Sequence, residues 1–317
     1  MLKKYYLYIL SILITSAAFI LLKSNKKSSI ASENKFQIEN TSSINKIFIA
    51  DRNGTEISLI KKNESWTVNN QFTVREDAIK TLLETANKIR IKKPVSKSAF
   101  SNVVKFIATT GVYIEFFQDE KLIKSYTIGS NTPDHLGTYM LLKGSKKPFV
   151  IHIPSFNGFL SPRYGIQSNE VDIMNWRSNI VFNLSLQQIK YIKYTDFHDS
   201  TNSYILNINP FKLINSEKKS IPFKNNKIIR LLNNFKNLNC EAFKYDKIKI
   251  NSTTQIEELI VNSDTLRTYK ISDLDYKKKE DNFTVERKYA TLNNKELMLI
   301  QDYVFNKVLI NIDELTK

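Results

Sequence analysis

At 317 residues the chain is long enough for one large domain or two smaller ones, and 42% hydrophobic with 11% aromatic residues excludes a disordered polymer. The net charge of +16 is spread over lysine pairs from Lys26-Lys27 to Lys277-Lys278-Lys279; without one basic stripe, nucleic acid is not an expected partner, whereas contact with anionic lipid or an acidic polymer is compatible with it. Seven glycines and seven prolines exclude collagen-like or linker-rich architecture, and the single cysteine, Cys240, excludes an intramolecular disulfide and a cysteine metal cluster. The surplus of Lys, Asn and Ile reads as the mark of an A+T-rich coding genome.

In chain order, residues 5–22 carry no charge. As a helix this run reaches about 27 Å, close to the hydrocarbon thickness of a bilayer. Lys3-Lys4 precede it, Lys23 and Lys26-Lys27 follow, and Tyr5, Tyr6 and Tyr8 suit an interface. The unbroken run into Leu22 favours a retained anchor over cleavage after Ser16-Ala17-Ala18. The expectation is a transmembrane anchor over 1–23 and a polar tether over 24–43. A short basic N-terminus stays in the cytoplasm, so a single-pass inner-membrane protein with a periplasmic body is predicted.

Beyond residue 43 the chain repeats itself. Asp51 and Trp66 precede Asp196 and Phe211 by the same 145 positions. Residues 44–50 and 56–60 alternate with strand period around Asp51-Arg52-Asn53-Gly54 and read as a hairpin. Trp66-Thr67-Val68 is a third strand, and Ile79, Leu82, Leu83, Ala86 and Ile89 form one helical stripe. Strand-like runs follow at 112–117, 122–128, 138–142 and 149–153. The second copy has hairpin runs at 189–194 and 203–208 and a helical stripe of Ile228, Leu231, Leu232, Phe235 and Leu238, displaced by 149 from the first. Lys124-Ser125-Tyr126-Thr127-Ile128 is echoed by Arg267-Thr268-Tyr269-Lys270-Ile271, and the stretch from Phe156 to Leu160 by that from Phe305 to Leu309. The predicted fold class is α+β: an N-terminal transmembrane helix, then two tandem similar units, each a β-β-β-α segment plus an antiparallel meander. Their bounds are 44–165 and 188–317, with a connector over 166–187. Cys240 falls in the slot of Ile91 and reads as a small buried hydrophobe.

Phosphate-cradling glycine loops and the GxSxG elbow are absent from the sequence, and His135, His152 and His198 stand apart, so no cofactor, metal or catalytic residue is predicted. Asp134-His135 is the one adjacent acid–base candidate. Residues 129–142 are superficially similar to the strand-turn region of L,D-transpeptidases, but those enzymes need a cysteine just after a His-Gly pair, which this sequence lacks. The stretch 148–164 is apolar, aromatic and bounded by prolines; Phe156, Phe159, Arg163 and Tyr164 are residue types enriched at interface hot spots and are the candidate partner-binding residues.

The order Asp51-Arg52-Asn53-Gly54, Trp66-Thr67-Val68-Asn69, Gly137-Thr138-Tyr139-Met140, the 148–164 stretch and Trp176-Arg177 resembles the domain-of-unknown-function 4340 family in its Bacteroidota form. The resemblance covers about residues 44–180. It implies a membrane anchor, an extracytoplasmic body of repeated α+β units and, by analogy with some relatives, an accessory role beside gliding-type or ABC-type transport systems; it brings no catalytic residues. The expected function is therefore an envelope accessory or scaffold acting on a protein partner, the alternative being an enzyme or binding protein for an envelope polymer that uses Asp134, His135 and Arg163. The segments that do not recur, 129–137 and 161–176, are where specific function is expected.

Overall fold

The computed structural model describes residues 14–16, 34–243, 255–271 and 286–317. The chain divides into two compact units, Met1–Ser178 and Asn179–Lys317.

The first unit runs β1 (Lys46–Ala50), β2 (Glu56–Lys62), β3 (Ser65–Val68), β4 (Phe72–Thr73), α1 (Glu76–Lys88), β5 (Arg90–Pro94), α2 (Lys97–Thr110), β6 (Val112–Gln118), β7 (Lys121–Asn131), β8 (Thr138–Leu142) and β9 (Phe149–His152). Its nine strands form one antiparallel sheet in the order β4-β3-β2-β1-β6-β7-β8-β9-β5. A 3-10 turn (Ser161–Tyr164) and a short hairpin, β10 (Ile166–Gln167) with β11 (Glu170–Val171), complete it. The strands bury alternate residues, so Ile47, Ile49, Ile57, Leu59, Ile114, Phe116, Tyr126 and Ile128 line one core. The α1 stripe of Ile79, Leu82 and Ala86 joins that core, while Glu76 and Asp77 at its start and Lys88 at its end match the helix dipole.

The second unit runs β12 (Ile180–Phe182), β13 (Tyr191–Asp196), β14 (Tyr204–Ile208), β15 (Phe211–Asn215), β16 (Ser220–Ile221), α3 (Asn225–Asn233), β17 (Leu238–Asn239), β18 (Ala242–Phe243), β19 (Gln255–Val261), β20 (Asp264–Tyr269), β21 (Arg287–Leu292), β22 (Leu297–Gln301), α4 (Asp302–Phe305) and α5 (Asp313–Thr316). Its nine-stranded sheet has the order β16-β15-β14-β13-β19-β20-β21-β22-β18, the first sheet's order element for element. Its core gathers Ile192, Leu206, Leu213, Ile228, Leu231, Leu232, Phe235 and Leu259, with Cys240 buried beside them.

Registers show how the copies stay aligned. Ile47 faces Leu59 twelve positions on, but Ile192 faces Leu206 fourteen on. Leu59 then faces Val68 nine positions on, and Leu206 faces Leu213 seven on. The first turn gained two residues and the second lost two, so the offset of 145 at Asp51 and Trp66 is restored by compensation. Even-numbered changes confined to turns leave every strand facing the same way.

Several expectations are corrected. Among the described residues the fold is mostly β, built on two nine-stranded antiparallel sheets, rather than the expected α+β class. The expected transmembrane anchor and the single-pass inner-membrane placement with a periplasmic body are corrected to what the described residues show: among them no helix is long and apolar enough to cross a membrane. Of the stretch 5–22 only Ile14, Thr15 and Ser16 are described; the rest lies outside the described residues. Phe36 and Ile38, assigned to the polar tether, belong to the first core, as do Ile166, Val171 and Trp176 from the stretch taken as a connector. Isolated apolar residues in polar surroundings carry no periodicity, so their burial was not legible.

The Tyr126/Tyr269 echo is also displaced. Ile114 pairs with Tyr126 and, at the equivalent site, Leu259 pairs with Leu266, so Leu266 is the register counterpart of Tyr126. The echo is out by three residues, an odd slip that would turn each side chain to the opposite face. Finally, the asparagine surplus has a structural use: among the described residues, eight of the twelve non-glycine residues at positive φ are Asn. Asn tolerates the left-handed region better than other non-glycine residues and here stands in for scarce glycine at turns.

Candidate functional site

The aspartates that recur at one offset are turn caps. Asp51 Oδ1 accepts from the amides of Asn53 and Thr55, both at 2.9 Å, and Oδ2 from Val171 N at 3.2 Å. Asp196 Oδ1 accepts from His198 N and Asp199 N, and Oδ2 from Asn202 Nδ2. Burial alone would raise both acids, but these hydrogen bonds outweigh it and hold each below the usual carboxylate range.

The acid–base candidate is not assembled. Asp134 Oδ1 accepts from Thr132 Oγ1 and Leu136 N, which closes its own loop; the Thr132 bond is foremost in holding its carboxyl below the usual range. The His135 ring instead lies 6.0 Å from that of Phe159. Among the described residues no hydrogen bond joins Asp134, His135 and Arg163. Tyr164 is corrected from a surface position: it is fully buried, its hydroxyl 3.0 Å from that of Tyr126, and burial raises the pKa of both phenols.

A second titratable cluster is internal to the second unit. Glu257 accepts from Tyr194 OH at 3.0 Å, Thr268 Oγ1 at 2.9 Å and Lys288 Nζ at 3.1 Å, and Lys288 also lies 3.5 Å from Asp302 Oδ1. Burial first, then the Glu257 carboxylate, raises the Tyr194 phenol. The register counterparts in the first sheet are Ile49, Val112, Ile128 and Thr138, so the network replaces a largely apolar patch.

The remaining candidates converge on α1. Phe156 and Arg163 meet, with the guanidinium 5.1 Å from the ring centroid, and Arg163 Nε donates to Thr85 Oγ1 at 2.8 Å. Thr85 is fixed in turn by its own bond to Thr81 O. Arg163 thus sits braced on the helix, at the wall of a cleft of about 210 Å³. It is lined by Arg75, Asp77, Ala78 and Thr81 around the start of α1 and by Pro162, Arg163, Gly165, Gln167, Asn175 and Trp176 from the 162–176 stretch.

The cleft depends on non-local pairing. Val74 bridges Arg177, Arg75 N donates to Trp176 O at 2.8 Å, and Ser178 N donates to Thr73 O. These bonds draw the 166–178 strand of chain across the N-terminus of α1. Gly165 adopts φ +66°, and a Cβ there would stand 2.6 Å from Trp176 Cζ2, so only glycine admits the indole so close. Arg75 occupies the N-cap position without a capping side chain, and its Nη2 lies 3.2 Å from Asp77 Oδ2. Among the described residues, the Nε1 of Trp176 and the Nε of Arg75 are buried without a hydrogen-bond partner.

Arg75 and Trp176 were not singled out as site residues from the sequence. Trp176 is one of only two tryptophans and lies in the non-recurring 161–176 segment, which was the available signal. No family model matches the chain, and neither a curated protein nor a solved structure does.

Proposed function

We propose that the chain is a non-catalytic accessory or scaffold that works by holding a protein partner, with the contact surface on the first unit. The Phe156–Arg163 pair supports this reading. In the second unit the positions 149 further on are Phe305 and Ile312, both buried in the core. In the first they are a partly exposed aromatic ring and a braced guanidinium. Duplicated frames keep the core and vary the surface; an aromatic–arginine pair on a rigid support is the side-chain chemistry of interface hot spots.

The test is site-specific photocrosslinking in native cells, with the crosslinking residue in place of Phe159 in the full chain. A discrete adduct with one protein is expected, recovered again when that protein is the bait, and reduced at least tenfold by Phe156→Ala. Recovery of monomer alone, under conditions that capture a control complex, refutes the proposal.

A further inference from the structure

We propose that the cleft at the N-terminus of α1 binds a single oxyanion group, carboxylate or phosphoryl. This goes beyond the scaffold reading, since it concerns the group bound and not what carries it.

The donors converge. The N-cap residue of α1 supplies no side-chain hydrogen bond to the first-turn amides, and the positive end of this 13-residue helix is offset only by Glu76 and the exposed Asp77 in its first turn. Arg75 and Arg163 both line the cleft, and guanidinium forks match both planar carboxylate and tetrahedral phosphoryl oxygens. Thr81 adds a hydroxyl-bearing side chain to the lining.

Two donors of the lining residues go unanswered among the described residues. Trp176 is 1% exposed and its indole N–H has no partner among the described residues, an uncommon condition for a buried donor. Arg75 Nε is equally unanswered. Arg163 spends its Nε on Thr85, and it makes no ion pair among the described residues. Asp77 is the one carboxylate in the lining; its side chain is 75% exposed and it reaches only Nη2 of Arg75. A solvated pair of this kind leaves the remaining donors free.

The second unit shows the same position with an oxygen in place. Lys224 is the N-cap of α3, 149 positions after Arg75. Its amide donates to Leu315 O at 3.0 Å, as that of Arg75 does to Trp176 O. Its Nζ donates to the backbone carbonyl of Lys317. There the chain itself supplies an oxygen to the cation at the helix start; in the first unit no described residue supplies one to Arg75 Nε or Trp176 Nε1. At about 210 Å³ the cleft is below the ~300–1,000 Å³ of sites for drug-sized ligands, which suits one head group and not a whole cofactor.

The experiment uses the full chain carrying Trp66→Phe, which leaves Trp176 as the sole tryptophan. Trp176 emission is followed during separate titrations with inorganic phosphate and with acetate, against chloride at matched ionic strength, and repeated by calorimetry. A saturable response to at least one oxyanion and none to chloride is expected. Phosphate alone identifies a phosphoryl site, and acetate alone a carboxylate site. Arg75→Gln and Arg163→Gln should each weaken binding at least tenfold. Arg163→Lys, which keeps the charge and loses the fork, should weaken it less and provides a second variant if the glutamine forms unfold. A response to both oxyanions no different from chloride, or unchanged affinity in a folded Arg75→Gln/Arg163→Gln double variant, overturns the proposal. Either failure leaves the crosslinking test untouched, because that reads protein contact and not ion binding.

Discussion

Replacing Gly165 with alanine should destabilise the first unit by about 2–5 kcal/mol, through two separable effects. The residue sits at φ +66°, where a β-carbon costs about 1–2 kcal/mol. The same β-carbon would stand 2.6 Å from Cζ2, 2.7 Å from Cε2 and 2.9 Å from Nε1 of Trp176. Trp176 is wedged between the helix start and the core, so relief requires moving the indole, and overpacking of that kind costs about 1–3 kcal/mol. Gly54 supplies the control: its φ is +89°, but a Cβ there meets nothing within 4 Å. Gly54→Ala should therefore show the conformational cost alone. Urea unfolding of the full chain, followed by tryptophan emission, reads the first unit specifically, since Trp66 and Trp176 both lie in it. Equal losses in the two variants would refute the claim that the indole packs against Gly165 and shapes the cleft.

Two other outcomes follow from buried charge. Asp51 and Asp196 have folded-state pKa values below their unfolded ones, so each contributes stability that is complete above about pH 4 and is lost as pH falls through the folded value. The urea midpoint of the first unit should fall between pH 5 and about pH 3, and Asp51→Asn should flatten that slope; an unchanged slope would show that the turn cap is not what lowers the pKa. Lys288→Met should cost the second unit about 3 kcal/mol, because it leaves the buried Glu257 and the half-buried Asp302 without their cation. A loss below about 1 kcal/mol, measured by hydrogen exchange in β19–β22, would mean that water replaces the lysine.

What could be read from the sequence was local. The β1–β2 hairpin announced itself through alternation on either side of Asp51-Arg52-Asn53-Gly54, and the stripes of α1 and α3 through their 3.6-residue period. Pairings that close each sheet were not legible: β1 finds β6 and β5 finds β9 across long separations, for which no local pattern exists. The helix α2 went unassigned although Ser96 caps it, because only Val103 and Ile107 of its residues are buried and the apolar stripe is short. The site divided the same way. Phe156 and Arg163 stood out as residue types, and the structure does bring them together. Arg75 and Trp176 meet only because Val74 bridges Arg177, a contact set by the sheet and not by spacing.

The shared strand order carries a hazard during folding. In each sheet the first hairpin group is joined to the later meander along a single seam, β1 with β6 and β13 with β19. Because the two seams are alike, β1 emerging from synthesis meets two acceptable edges, and wrong closure between tandem copies is a characteristic failure of repeated domains. The Glu257 network discriminates between them. Ile49 closing on β19 would place an isoleucine where Tyr194 reaches the Glu257 carboxylate, leaving that oxygen without its phenol donor. A buried phenol–carboxylate hydrogen bond can thus act as a mating key, penalising the exchange of strands between two otherwise interchangeable halves.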